Sequence, residues 1–230
     1  MPQPSRIHTA GLILHVLNRA ARRTPLFESD PEYSAFLRTL REAQRRIPLR
    51  ILAYCVMPNH FHLVVWPNAD GELSRFMQWF TATHSKRWHL DRGSSGNGCV
   101  YQGRFRAFPV QSDEHFLTVC RYVERNAVRA GVVGRAEDWR WSSFADRWEN
   151  GRRVALTPWP VMQPADWAEW VNTVEPTIDI RRLRQAVARG APYGDPAWVA
   201  NVSGMLGCEG ALRPIGRPRK ATLAVALRNT

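Results

Sequence analysis

His60 and His62 flank a single hydrophobic residue in the stretch Tyr54-Cys55-Val56-Met57-Pro58-Asn59-His60-Phe61-His62-Leu63-Val64-Val65-Trp66. On a β-strand, alternate side chains share a face. His60, His62 and Val64 would then point one way, and Phe61, Leu63 and Val65 the other. Two imidazoles held in this way on a rigid element suit a divalent metal ion with open coordination positions. Two solvated polar residues on an open sheet face would show the same spacing. Tyr122 and Asn126 are four residues apart, which on a helix puts them on one side. There Tyr122 could serve as a nucleophile and the Asn126 amide oxygen as a metal ligand. A tyrosine packed into an amphipathic core would look no different in sequence.

Regular elements must hold these four residues. Pro58 cannot donate to a ladder, so Arg50 to Val56 and His60 to Trp66 read as a hairpin closed at Met57-Pro58-Asn59. Ile7 to Asn18 reads as a preceding strand. Asp30-Pro31-Glu32 starts a helix, with Asp30 as N-cap and Pro31 at the first helical position. Tyr33, Phe36, Leu37 and Leu40 then recur at helical spacing. Leu73, Phe76, Met77 and Phe80 mark a second helix to about His89. After a Gly/Ser connection over Asp91 to Gly98, Arg104 to Val110 reads as a further strand. Ser112 is expected to cap a third helix that ends at Gly131. The order β-α-β-β-α-β-α is the ferredoxin-like split β-α-β arrangement with one added helix, an α+β fold with an antiparallel sheet.

The chain has 230 residues, 44% of them hydrophobic, and a formal net charge of +12. Its isoelectric point is about 10.7. Such an excess points to a polyanionic partner, most simply nucleic acid. Lys86 and Lys220 are the only lysines, so the charge is almost all arginine, which grips phosphate bidentately. A GC-rich coding sequence would give the same arginine bias without a ligand, but the net excess must still be neutralised. Cys55, Cys99, Cys120 and Cys208 are scattered and no two have C-x-x-C spacing, so reduced thiols are expected. The longest apolar run, Ala10 to Leu17, contains His15 and is too short to span a membrane. A soluble, cytoplasmic protein with no membrane partner is the expectation.

Several separate motifs now fall into one order. They are Tyr54 to His62, Tyr101-Gln102-Gly103-Arg104-Phe105, Arg121-Tyr122-Val123-Glu124-Arg125-Asn126-Ala127-Val128-Arg129-Ala130-Gly131, and Trp139-Arg140-Trp141-Ser142-Ser143-Phe144. Together they resemble the single-tyrosine HUH transposases (His, hydrophobic, His), and within them the REP-associated tyrosine transposases, over about residues 6 to 148. Ala127 departs from the proline usual in that family, and Glu124 from a frequent aromatic or histidine. The resemblance implies that His60 and His62, with Asn126 as third ligand, hold Mg²⁺ or Mn²⁺. It implies that Tyr122 attacks single-stranded DNA and forms a 5′-phosphotyrosine. It also implies a substrate made of repeated palindromes that fold into hairpins. Arg104, Arg106, Arg121, Arg125 and Arg129, with Lys86 and Arg87, are then expected to grip the DNA backbone.

Residues 1–148 are expected to form the catalytic domain and residues 149–230 a basic, mainly helical or irregular extension. The extension is punctuated by Pro158, Pro160, Pro164 and Pro176, with Trp159, Trp167 and Trp170 between them. Helices are expected from Ile178 to Arg189, carrying Arg181, Arg182 and Arg184, and from Pro196 to Leu206. Gly216-Arg217-Pro218-Arg219-Lys220 looks like the core of an AT-hook, a minor-groove reader, and makes Arg217, Arg219 and Lys220 candidate DNA contacts. A monomer or a homodimer is expected. Two function classes stay open: an enzyme that cuts and rejoins single-stranded DNA, and a non-cleaving hairpin-binding protein on the same fold. A metalloenzyme acting on something other than DNA would leave the charge unexplained.

Overall fold

The computed structural model describes residues 8–21, 25–94, 98–148 and 153–212. The candidate AT-hook residues Arg217, Arg219 and Lys220 lie outside the described residues. Four strands form one antiparallel sheet: β1 (Ile13–Arg19), β2 (Arg50–Met57), β3 (His60–Trp66) and β4 (Arg106–Val110). Their spatial order, β2-β3-β1-β4, is that of the ferredoxin-like split β-α-β fold. β3 therefore lies beside β1, which places His62 opposite Leu17 and His60 opposite Arg19.

The pleat sorts β3 as its alternation requires. On one face, Phe61, Leu63 and Val65 meet α1 (Asp30–Arg46) and α2 (Glu72–Asp91). Phe36 stands 5.2 Å from Phe61 and 5.0 Å from Phe80, ring centre to ring centre, in a tilted and an edge-on contact. On the other face, α3 (Glu114–Glu124) packs Phe116, Val119 and Val123 against Val64, Cys55 and Phe108. α4 (Asn126–Arg129) and α5 (Ser143–Trp148) follow.

Residues 153–212 pack on the same body. Thr157 donates its N–H to the Ile51 carbonyl at 2.8 Å, and Tyr193 and the β4 edge exchange bonds through Pro109 and Gln111. Trp159, Trp167 and Trp170 run edge to face from Phe116, at 5.3, 4.9 and 5.1 Å between successive rings. Trp167 and Trp170 belong to α6 (Trp167–Asn172), which is followed by α7 (Thr177–Arg189) and α8 (Pro196–Met205). α7 buries Leu183 and Ala186 against α3. The four cysteines are free, Cys99 exposed and the others buried.

Several boundaries differ from the sequence expectation for local reasons. β1 starts at Ile13 rather than Ile7, because Gly11 turns the chain with φ 75° just before it. Ser29, not Asp30, is the N-cap of α1, and Glu32 reaches back to the Ser29 N–H at 3.3 Å. Asp113, not Ser112, caps α3 and accepts from the His115 N–H at 2.8 Å. β4 starts at Arg106, since Gly103 holds φ 76° in the turn before it. The helix expected to run unbroken to Gly131 is interrupted at Arg125, so Tyr122 lies in the last turn of one helix, which ends at Glu124, and Asn126 opens the next. Gly131 does close α4: with φ 69° it lets the N–H of Val132 reach the Ala127 carbonyl and its own N–H reach that of Val128, both at 3.0 Å.

Candidate active site

The turn that leads into β3 is fixed from outside. The Pro58 carbonyl accepts from Leu26 N–H at 2.6 Å, and the Asn59 carbonyl from Ala20 N–H at 2.9 Å. His60 and His62 emerge from this anchored strand with ring centres 5.0 Å apart. Each has Nδ1 engaged. His60 Nδ1 donates to Asn59 Oδ1 at 2.7 Å, which leaves Nε2 with its lone pair. His62 Nδ1 lies 2.8 Å from Nε2 of His15 on β1. With the His62 proton on Nδ1, the His15 proton sits on its own Nδ1, a buried atom without a partner among the described residues. His62 Nε2 then also keeps its lone pair. Holding one imidazole nitrogen by a neighbour while the other stays free is how proteins orient metal-binding histidines. In that tautomer the pair fits a divalent ion.

Electrostatics keep these rings neutral. Burial pushes the His60 pKa down to about 4, helped by Arg19 and Arg129. His62 falls well below the usual histidine value, through burial first and then the neighbouring His15 and His60. Burial also takes His15 down to about 3. At neutral pH no proton competes for the free nitrogens.

Tyr122 faces this cluster from α3. Its ring centre lies 6.0 Å from that of His62 and 6.2 Å from that of His15, both edge-on. The guanidinium of Arg129 lies over its ring at 3.8 Å and donates to the Tyr122 carbonyl at 2.9 Å. Asn126 is buried at the start of α4, and its amide has no hydrogen-bond partner among the described residues. The fold thus brings His60, His62 and Tyr122 together, with Asn126 one turn beyond the tyrosine.

The candidate DNA-binding residues separate into three groups. Arg104 and Arg106 are exposed near the β1–β4 end of the sheet. Arg121, Arg125 and Arg129 instead turn into the extension. Arg121 donates to the Thr173 carbonyl at 2.8 Å, and Arg125 to the carbonyls of Val171 and Asn172 at 3.1 and 2.8 Å. Glu175 takes Arg129 at 3.0 Å and Arg125 at 3.6 Å. Lys86 and Arg87 are on α2, on the far side of the sheet from Tyr122, and Arg87 pairs with Glu42 at 2.8 Å.

Residues 8–126, more than half of the chain, match the family described as "Transposase IS200 like". The chain belongs to that family. It is an HUH-type tyrosine transposase, and transposases of this family depend on a divalent metal ion. The REP-associated tyrosine transposase of Escherichia coli (strain K12) is 24% identical over 162 residues, which cover 69% of this chain and 85% of that protein. A solved structure of a REP-associated tyrosine transposase bound to a REP hairpin superposes with a TM-score of 0.54 at 21% identity. It covers 71% of this chain and 93% of that one.

Two buried residues near the candidate site carry little signal in the sequence. His15 was visible only as a polar interruption in an apolar run, and its role emerges from the β1–β3 register. Glu124 is fully buried and accepts from Ser143 at 2.6 Å, from Trp167 Nε1 at 2.9 Å and from Arg147. It ties the tyrosine helix to the extension. Its only sequence signal was its departure from the family pattern.

Proposed function

We propose that this protein cuts and rejoins single-stranded DNA beside hairpins formed by repeated palindromes, as a step of DNA transposition. Tyr122 Oη attacks the scissile phosphorus. A Tyr122–O–P bond forms, the P–O3′ bond breaks, and the phenolic proton leaves so that the departing strand ends in a 3′-hydroxyl. The 5′-phosphotyrosine retains the phosphodiester's energy, so a 3′-hydroxyl can reverse the step and seal a new junction without ATP. His60 and His62, through their free Nε2 atoms, and Asn126, through its amide oxygen, would hold Mg²⁺ or Mn²⁺. Mixed nitrogen and oxygen donors favour Mn²⁺. A bound divalent ion supplies Lewis-acid charge stabilisation to the phosphate. Asn59 and His15 position the two imidazoles, and Arg129 braces the Tyr122 ring.

The observation that carries this reading is the edge-on contact of Tyr122 with His62, on the sheet face that also carries His60. The deciding experiment is Tyr122→Phe, which removes one oxygen and preserves the ring. Wild type incubated with Mn²⁺ and labelled hairpins from palindromes near its gene should yield an SDS-resistant adduct, with the mass shift on the Tyr122 peptide. The variant should bind the same hairpins and form none. Normal cleavage by the variant would replace Tyr122 with an activated water. A wild type that binds hairpins and never cuts them would be the non-cleaving binding protein.

A further inference from the structure

An open groove of about 820 Å³ lies between the sheet and the extension. Leu17 and Arg19 of β1 with Arg104 and Arg106 form one side, and Arg184, Val187 and Ala188 of α7 form the other. The three α7 residues follow i, i+3, i+4 spacing, so they make one stripe, while Leu183 and Ala186 anchor the helix on α3. Arg19, Arg104, Arg106 and Arg184 are all exposed. No carboxylate lines the groove, and none of the four guanidinium groups has a hydrogen bond or ion pair among the described residues. Four like charges around one concavity raise its potential and favour an anion there.

Leu17 pairs with His62 on one side and with Arg106 on the other, so His62, Leu17 and Arg106 form one row across three strands. At a strand spacing of about 4.8 Å, Arg106 begins about 10 Å from the histidine strand. The groove's lining residues Leu17 and Arg19 sit opposite His62 and His60 on the neighbouring strand, so the groove borders the proposed reaction centre. Among the described residues no aromatic side chain lines the groove, so its described walls offer no stacking platform and suit a sugar-phosphate backbone rather than bases.

We infer that this groove is a phosphate-binding channel for the unpaired strand flanking the hairpin, and that α7 of the extension supplies its second wall through Arg184. This rests on the function proposed above. It also assigns the extension a part in holding the strand that passes the reaction centre.

The test uses the full-length protein and two oligonucleotides, a hairpin from palindromes near its gene and the same hairpin with an oligothymidine flank. Affinities are measured by fluorescence anisotropy over a salt series. Arg184→Glu should weaken binding of the flanked hairpin about tenfold or more and leave the bare hairpin unchanged. Its salt dependence on the flanked hairpin should fall by about 0.7 in log–log slope for the lost single-strand contact. Arg181→Glu makes the same charge change on the same helix outside the groove and should discriminate little between the two DNAs. Equal losses on both DNAs, equal losses for both variants, or no loss would overturn the channel. If wild type cuts through Tyr122 while Arg184→Glu binds normally, only the channel fails. If wild type binds neither DNA, the proposed function fails with it.

Discussion

Arg121, Arg125 and Arg129 project from the tyrosine helices into the extension, where carbonyl oxygens and Glu175 receive them. Arg19, Arg104, Arg106 and Arg184 surround an open groove, and none has an acceptor among the described residues. Both sets are arginine-rich, and both lie on the Tyr122 side of the sheet. The first set is invested in the fold: its guanidinium groups satisfy the end of α6 and fix the extension over α3. The second set leaves its charge to be neutralised from outside. Net charge alone merges these two uses, and only the partners separate them.

The largest effect expected from breaking this contrast is on stability. Glu175 is buried between Arg125 and Arg129. Glu175→Ala leaves two largely buried guanidinium groups without their counter-charge, a change that costs about 3–5 kcal/mol. Urea unfolding followed by tryptophan fluorescence should show it, since Trp167 and Trp170 lie in the segment these arginines secure. Arg106→Ala should stay within about 0.5 kcal/mol of wild type in the same assay. Equal stability losses in the two variants would erase the distinction.

The next effect reverses the ranking. Arg106→Ala and Arg104→Ala should each weaken binding to a flanked hairpin and reduce the salt slope by about 0.7. A conservative change in the paired set, Arg121→Lys, should leave that slope unchanged. Titration of DNA into each variant at several salt concentrations measures this directly. A reduced slope for Arg121→Lys would show that the paired set also reaches DNA.

Much of this architecture was legible. The period-two run through His60 and His62 defined β3 and its faces, and the i, i+3, i+4 repeats of Phe36 and Phe76 defined α1 and α2. Those signals are local, so one sequence carries them. The His15–His62 contact depends on a strand register between residues 47 apart. The acceptors of Arg121 and Arg125 are backbone carbonyls 46 to 52 residues away, which have no side-chain signature. The interruption at Arg125 was hidden because Arg121 to Arg129 contains no proline or glycine. The expectation that Arg121, Arg125 and Arg129 grip DNA came from composition near the tyrosine, where partners cannot be counted.

The smallest effect joins the two sets at one atom group. Arg19 belongs to the groove and Arg129 to the stapled helix, and both disfavour a charged His60. Burial is the larger cause of its low pKa, and Arg19 comes before Arg129. Arg19→Gln removes a nearby positive charge, so the imidazolium becomes less unfavourable and the His60 pKa rises. Because burial is retained, it should stay well below the ordinary histidine value of about 6.5. The sign for stability follows from linkage. A histidine with pKa about 4 when folded and about 6.5 when unfolded contributes stability above pH 6.5 that is lost as the pH falls toward 4. Raising the folded value narrows that window, so Arg19→Gln should lose less stability on acidification than wild type. Histidine resonances followed by NMR between pH 7 and pH 4 give the pKa, and urea midpoints over the same range give the linkage. A larger upward shift in Arg129→Gln than in Arg19→Gln would mean that the stapled arginine, despite Glu175, dominates the field at His60.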